Sequence, residues 1–198
     1  MNRIHRWLCR SAGWRRELEE NVMPWVLNGV DLGNRVLEVG PGPGLTTDIL
    51  RPRIAHLTAL EIDSALALSL ADRMRESNVT IIQGDATGMP FPDAEFTGAV
   101  CCTMLHHVPS PALQDKLFCE VFRVLKPGAT FAGVDGRTSL YMRLIHIYDT
   151  LVPIEPSTFQ ARLETAGFEK IFIEAKPQRF RFHARKPVDR SSEPLASK

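Results

Sequence analysis

The sequence predicts an α/β fold in which a largely parallel sheet is flanked by helices. Short apolar runs alternate with stretches of helical periodicity along the chain, and no internal repeat breaks the alternation. The 198 residues are also 44% hydrophobic and 24% charged, close to soluble globular averages, so one domain can bury a substantial core without staples. That length leaves no comfortable room for a second domain. The composition excludes collagen-like, wholly disordered and membrane-spanning readings.

Taken in order, residues 1–30 form an N-terminal helical segment, within which 1–16 read as an amphipathic helix with Ile4, Trp7 and Leu8 on one side. Strands are expected at Arg35–Val39, His56–Glu61, Val79–Gln83, 96–101, 129–134, 170–174 and 180–184, all short runs rich in apolar residues. The helices between them are the crossovers that parallel strands require. A short one begins near Leu45 and must end by Pro52, and another spans about 64–75. The best-marked helix is 111–126. Ser110 suits its N-cap, Pro111 its first turn and Pro127-Gly128 its stop, while Leu113, Leu117, Val121, Val124 and Leu125 share one face. Residues 137–168 are the least regular stretch, a substrate-side insertion with Tyr141, Arg143, His146 and Tyr148 that closes on a helix over 157–166. Arg179-Phe-Arg-Phe-His183 alternates charged and apolar residues as an edge strand does. Residues 1–185 thus make one domain, and the polar 186–198 are expected to be a disordered tail.

The formal charge of +1 conceals an uneven distribution. Residues 1–16 hold five arginines and no acid, and 176–198 hold seven bases against Asp189 and Glu193, so each end is +5 and 17–175 carry −9. A near-neutral total argues against a dedicated nucleic-acid binder. The basic ends, if near an active-site rim, would attract an anionic or amphipathic partner. Cys9, Cys101, Cys102 and Cys119 form no pair at metal-ligand spacing, and adjacent Cys101 and Cys102 suit no ordinary disulfide, so a reducing compartment is expected. Without an apolar leader or a run of about 18 apolar residues, the expected location is cytoplasmic.

The strongest local signal is Val36-Leu-Glu-Val-Gly-Pro-Gly-Pro-Gly44, an apolar strand running into glycines 40, 42 and 44 just before a helix. Glycines leave no side chain between main chain and ligand, and a helix N-terminus offers free N–H groups to an anion. A tight turn without a ligand would seldom need three alternating glycines. The spacing is G-x-G-x-G rather than the G-x-G-x-x-G of dinucleotide binders, with an acid, Glu38, inside the strand, which disfavours NAD. Glu61 closes the next strand, where a carboxylate can accept hydrogen bonds from two ribose hydroxyls. A helix-capping or solvated acid is the alternative there and at Asp63.

With Gly84-Asp85-Ala86 after the third strand, residues 96–108 around the fourth and Arg123-Val-Leu-Lys-Pro-Gly128 before the fifth, these motifs make the chain resemble the class I S-adenosylmethionine-dependent methyltransferases. The resemblance covers 35–135 clearly and 157–184 more loosely. It implies a three-layer α/β/α sandwich of Rossmann-like form, seven-stranded and mostly parallel with an antiparallel last strand. It also implies binding of S-adenosyl-L-methionine and release of S-adenosyl-L-homocysteine. Carried over residue by residue, Gly40, Pro41, Gly42 and Gly44 receive the methionine end with Glu38 in support, and Glu61 holds the ribose. Ile62 packs on the base, Asp85 faces the adenine amino group and Ala86 offers its N–H to the ring. A turn aspartate is the alternative for Asp85. Cys101 and Cys102, at the carboxyl end of strand four, are placed for their carbonyls to meet the cofactor's amino group, with their thiols incidental.

His106, in Met104-Leu-His-His-Val108, is the candidate catalytic residue. It either forms part of the cofactor-side wall or takes the acceptor's proton, a role suited to a group titrating near neutrality, and His107 is the lesser candidate. Asp135, Tyr141 and His146 are further candidates, although alignment and desolvation can supply much of the rate without a base. Methyltransferases of nucleobase amines usually carry Asn or Asp before Pro-Pro-Tyr after strand four, where this chain has Cys101-Cys-Thr-Met104. The first half nonetheless resembles ribosomal RNA adenine dimethylases, and the second half resembles enzymes of small molecules and lipid-soluble quinones. Asp135 alone does not make a magnesium site, and no metal is expected. The expected acceptor is a small or lipophilic metabolite, with nucleic acid disfavoured and membrane contact at most peripheral. RNA methylation and a non-catalytic cofactor-binding domain are the alternatives.

Overall fold

The computed structural model describes residues 11–188, without the side chains of Tyr141 and Ile145. Seven strands form one sheet: β1 Arg35–Val39, β2 His56–Glu61, β3 Val79–Gln83, β4 Phe96–Cys102, β5 Leu125–Gly136, β6 Glu169–Ala175 and β7 Arg179–Arg185. Their spatial order is β3-β2-β1-β4-β5-β7-β6. β1 pairs parallel with β2 and β4, β2 with β3 and β4 with β5, whereas β7 runs antiparallel to both β5 and β6. This is the Rossmann-like sandwich with an antiparallel last strand that the family resemblance implies.

The helical elements are α1 (Ala12–Glu17) and α2 (Met23–Leu27), joined by a π-helical turn Leu18–Val22, then α3 (Leu45–Leu50), α4 (Ser64–Arg73), α5 (Pro111–Val124), α6 (Leu140–Ile145) and α7 (Pro156–Thr165). Side-chain alternation along the strands builds a core on each face of the sheet. Leu37 and Val39 join Leu117, Phe118 and Val121 of α5 in one core. Val36 and Val100 meet Leu18, Val22, Ile49 and Leu70 in the other. Among the described residues, no helix is long and apolar enough to cross a membrane.

Caps behave as the residue types dictate. Ser110 accepts the Leu113 N–H at the start of α5, and Asp63 accepts the N–H groups of Ala65 and Leu66 ahead of α4. α5 nevertheless ends at Val124, short of the expected Lys126, because strand pairing claims the next residues. Leu125 aligns with Phe96, and the Gly128 N–H donates to the Lys186 carbonyl. The insertion is also more regular than its sequence suggests, since Ser139 caps a short helix, α6, by accepting the Met142 N–H at 3.1 Å.

The alternating Arg179–His183 segment does not lie at an edge, as its charge pattern implies, but between β5 and β6. Its polar face is covered by the N-terminal helices rather than by solvent. Arg181 is buried, bonds Glu174 at 2.7 Å and the Trp25 carbonyl, and lies over the rings of Trp25 and Phe172. Most of the expected helix at 1–16, and residues 189–198 of the expected tail, lie outside the described residues. Order continues past 185, because the Lys186 Nζ donates to the carbonyls of Phe122 and Leu125, each at 2.8 Å.

Candidate active site

The strand order reverses at β1, and open sheets present their ligands outside the carboxyl ends of the strands at such a point. Here the ends of β1, β2 and β4 open onto a cavity of about 340 Å³, within the range of small-molecule sites.

The glycine turn forms one wall. Gly40, Gly42 and Gly44 all have positive φ, at 67°, 55° and 84°, where a Cβ is strained. A Cβ at Gly40 would also stand 2.9 Å from Met104, and one at Gly44 2.4 Å from Arg73 and Leu70. Glu61, buried at the end of β2, braces the turn: its Oε2 accepts the Gly42 N–H at 2.8 Å and its Oε1 the Asp63 N–H at 2.9 Å. Pro41, Gly42, Glu61, Ile62, Asp85 and Ala86 all line the cavity. Ile62 presents an apolar side chain that is 66% exposed, a surface on which a flat ring can rest. Asp85 accepts the Thr87 N–H at 2.8 Å and so also serves its turn.

Glu38 sits behind this wall rather than on it. Its carboxylate is buried and accepts the hydroxyls of Thr46 and Thr47, tying β1 to the first turn of α3. Burial raises its pKa from 4.5 to about 7, against the opposing pull of the two hydroxyls. Of the cysteines, Cys102 lines the cavity and Cys101 does not. Burial drives both thiols upward, so neither is a nucleophile at neutral pH. Thr103, next in the chain, lines the cavity, has φ 52° and donates its N–H to the Val134 carbonyl at 2.7 Å.

The histidine pair divides between two environments. On the 3₁₀ turn Leu105–His107, consecutive side chains point about a third of a turn apart. His106 faces inward: Asp135 accepts its Nδ1–H at 2.5 Å and its backbone N–H at 3.2 Å, and it is not among the residues lining the cavity. His107 lines the cavity with Met104, Val108 and Leu113. His146, at the end of α6, is buried beside them, its ring 4.9 Å from that of His106 and 5.0 Å from that of His107. Burial lowers the pKa of His146, favouring the neutral ring.

Sequence reasoning did not place Trp14, Leu18, Asp149 or Thr150 in the cavity wall. The i, i+4 spacing of Trp14 and Leu18 marks one helix face, but nothing local says which ligand that face meets. Four carboxylates line the cavity (Glu61, Asp63, Asp85 and Asp149), and no Lys or Arg does so among the described residues.

A parallel sheet with a glycine turn after β1, an acid closing β2 and a turn aspartate after β3 defines a binder of a nucleoside-containing cofactor. Residues 37–133 match the family model described as a methyltransferase domain, and through this segment the chain belongs to the class I S-adenosylmethionine-dependent methyltransferases. The chain is 39% identical over 186 residues to a protein of Methanothermobacter thermautotrophicus described as a probable ribosomal RNA small subunit methyltransferase A, covering 88% of this chain and 66% of the relative. It is 30% identical over 130 residues to the ubiquinone/menaquinone biosynthesis C-methyltransferase UbiE of Vibrio cholerae, covering 62% and 49%. The chain thus spans about half to two thirds of the length of these relatives. An S-adenosylmethionine-dependent methyltransferase from Methanosarcina mazei shares the fold, with TM-score 0.66, 19% identity and coverage of 84% and 98%.

The residues present fit that cofactor. The glycine turn leaves room beside the main chain, Glu61 and Asp85 bring acceptor oxygens to the cavity wall, and the acid-rich lining suits a cation.

Proposed function

We propose that the chain transfers a methyl group from S-adenosylmethionine to a small or lipophilic acceptor. The lining of the cavity supports this reading best: four carboxylates, an apolar side formed by Met104, Val108, Leu113 and Leu117, and no Lys or Arg among the described residues. A polynucleotide acceptor needs cations near its phosphates, and the end of β4 supplies Cys102 and Thr103 in place of an amide that would hold a planar amine. Beside the Asp149–Thr150 wall, Leu140, Leu144 and Ile147 recur at helical spacing and are at least half exposed, an apolar approach for a lipophilic molecule.

When bound, the cofactor supplies an electrophilic methyl group on a sulfonium. Glu61 and Asp85 hold its nucleoside, and the glycine turn admits its amino-acid end. Trp14, Leu18 and the apolar side exclude water, so aligning the acceptor supplies much of the rate. RNA methylation is the second reading, and the 39% identity to a ribosomal RNA methyltransferase favours it.

The test is transfer from methyl-labelled S-adenosylmethionine into a whole-cell extract, with products identified by mass. Label in a small, solvent-extractable compound is expected. Label confined to RNA would replace this reading with the second. No transfer by a chain that binds S-adenosylhomocysteine would reduce it to a cofactor-binding domain.

A further inference from the structure

We propose that His106, His107 and His146 form a binding site for one divalent transition-metal ion of the zinc class, with its remaining coordination position toward the acceptor side of the cavity. Three imidazoles converge where the 3₁₀ turn after β4 meets the end of α6, with ligand nitrogens within 4.8 Å of one another. A tetrahedral site with bonds of about 2.0–2.1 Å needs nitrogens about 3.3 Å apart, so modest ring rotations close it.

Two of the rings are held in the tautomer that a metal requires. The Nδ1 of His106 faces the Asp135 carboxylate and the Nδ1 of His146 faces the Met142 carbonyl at 2.7 Å, so both must donate there and both carry their lone pair on Nε2. A carboxylate or carbonyl behind the imidazole is the usual outer support of a metal-bound histidine. The His106 Nε2 is buried and has no hydrogen-bond partner among the described residues. Packing alone gives no reason to strand it there.

The 3₁₀ turn is also fastened to the segment that follows α6. The Val152 N–H donates to the His106 carbonyl at 2.8 Å, and the Gln114 side-chain amide donates to the carbonyls of Leu105 and Val152 at 3.0 and 2.8 Å. Neutral nitrogen donors, with no thiolate among them, suit zinc, cobalt, nickel or copper rather than magnesium or calcium. Because His107 lines the cavity, the open position faces the acceptor, whose oxygen or nitrogen can complete the coordination. This last assignment rests on the proposed methyl transfer, whereas the metal site itself does not.

The experiment treats the full chain with a chelator, dialyses it and titrates Co²⁺ and Zn²⁺, reading the cobalt visible spectrum and calorimetry, with S-adenosylhomocysteine titrated in parallel. About one ion per folded chain is expected, with a spectrum lacking thiolate charge transfer. His107→Gln and His146→Gln should each weaken binding at least about tenfold, and Asp135→Asn about 10–100-fold, with circular dichroism confirming fold in each variant. Metal binding without S-adenosylhomocysteine binding would uphold the site and sink the cofactor reading. Wild type that binds S-adenosylhomocysteine but takes up neither metal at micromolar concentration, or metal uptake unchanged in a folded His107→Gln/His146→Gln double variant, would overturn the site.

Discussion

Replacing Glu61 by Gln keeps the size of the side chain and removes part of its capacity to accept hydrogen bonds. In the folded chain each carboxylate oxygen accepts one backbone N–H, from Asp63 at 2.9 Å and Gly42 at 2.8 Å, at 5% exposure. An amide can keep only one of these bonds and must point its NH₂ at the other N–H. A hydrogen bond to a charged group contributes about 1.5–3 kcal/mol, so Glu61→Gln should lower stability by about 2–3 kcal/mol. The same carboxylate is proposed to hold the ribose, and a loss of that size in binding corresponds to a Kd raised about 30–150-fold for S-adenosylhomocysteine. Calorimetry on the full chain gives the Kd, and chemical denaturation gives the stability. Comparing adenosine with 2′,3′-dideoxyadenosine separates a ribose ligand from a mere brace of the glycine turn. Wild type should prefer adenosine, and the variant should lose the preference. A folded variant that binds S-adenosylhomocysteine within about threefold of wild type, or that still discriminates the two nucleosides fully, would refute the reasoning.

Glu38 gives a pH dependence with a definite sign. Its carboxyl is raised from 4.5 to about 7 in the folded chain, so between those values the folded state binds more protons and stability falls as pH rises. The loss amounts to at most about 3 kcal/mol, complete above pH 7. Glu38→Gln abolishes it, so the stability of the variant relative to wild type should improve by up to that amount between pH 4.5 and pH 8. A difference that does not change with pH in denaturant melts at the two values would contradict this. Arg181→Met keeps bulk but leaves the Trp25 carbonyl without its guanidinium partner, while Glu174 keeps the Trp25 Nε1–H and access to water, and should cost about 1–3 kcal/mol in the same assay. Loss within 0.5 kcal/mol, roughly the range of neutral surface substitutions, would show that solvent already satisfies those groups.

The strands were legible because their signal is local. Val36–Val39, Leu57–Leu60 and Val79–Ile82 are short apolar runs bounded by turn residues, and all form strands where expected. The cofactor side was legible for the same reason, since turn and acid fall within one βαβ unit, and Pro41, Gly42, Glu61, Ile62, Asp85 and Ala86 meet at one cavity. What escaped depends on long-range packing. Alternation in β7 signals two unlike faces but not what covers them, and a neighbouring helix buries charge as readily as water solvates it when partners such as Glu174 and the Trp25 carbonyl are present. Likewise, His146 is 39 residues from His107, and the rings meet only through the packing of a distant segment, whose continuation at Val152 bonds the His106 carbonyl.

That dependence on packing also relocates acceptor selection. The basic ends invite the idea of a cationic rim, yet most of their described charges are bound within the fold, Arg16 and Arg185 being exposed. Arg15 meets Asp48 at 3.3 Å and Glu19 at 3.6 Å, Arg179 meets Glu17 at 2.9 Å, Arg181 meets Glu174, and Lys186 caps the carbonyls after α5. Arg15 and Glu17 lie on the helical segment that carries Trp14 and Leu18 into the cavity wall, so these ion pairs hold that wall in place rather than presenting charge to a ligand. Each exposed pair is weak alone, but together they join α1 to α3 and to β7, the two elements between which it must sit for Trp14 and Leu18 to face the cofactor. Selectivity then falls to the surfaces that close the cavity: the apolar face of α1 on one side, and the histidines, Asp149 and the exposed leucines of the α6 segment on the other. Those surfaces are acidic and apolar. An acceptor that is neutral or cationic where it enters, with a lipophilic body, matches them better than a polyanion does.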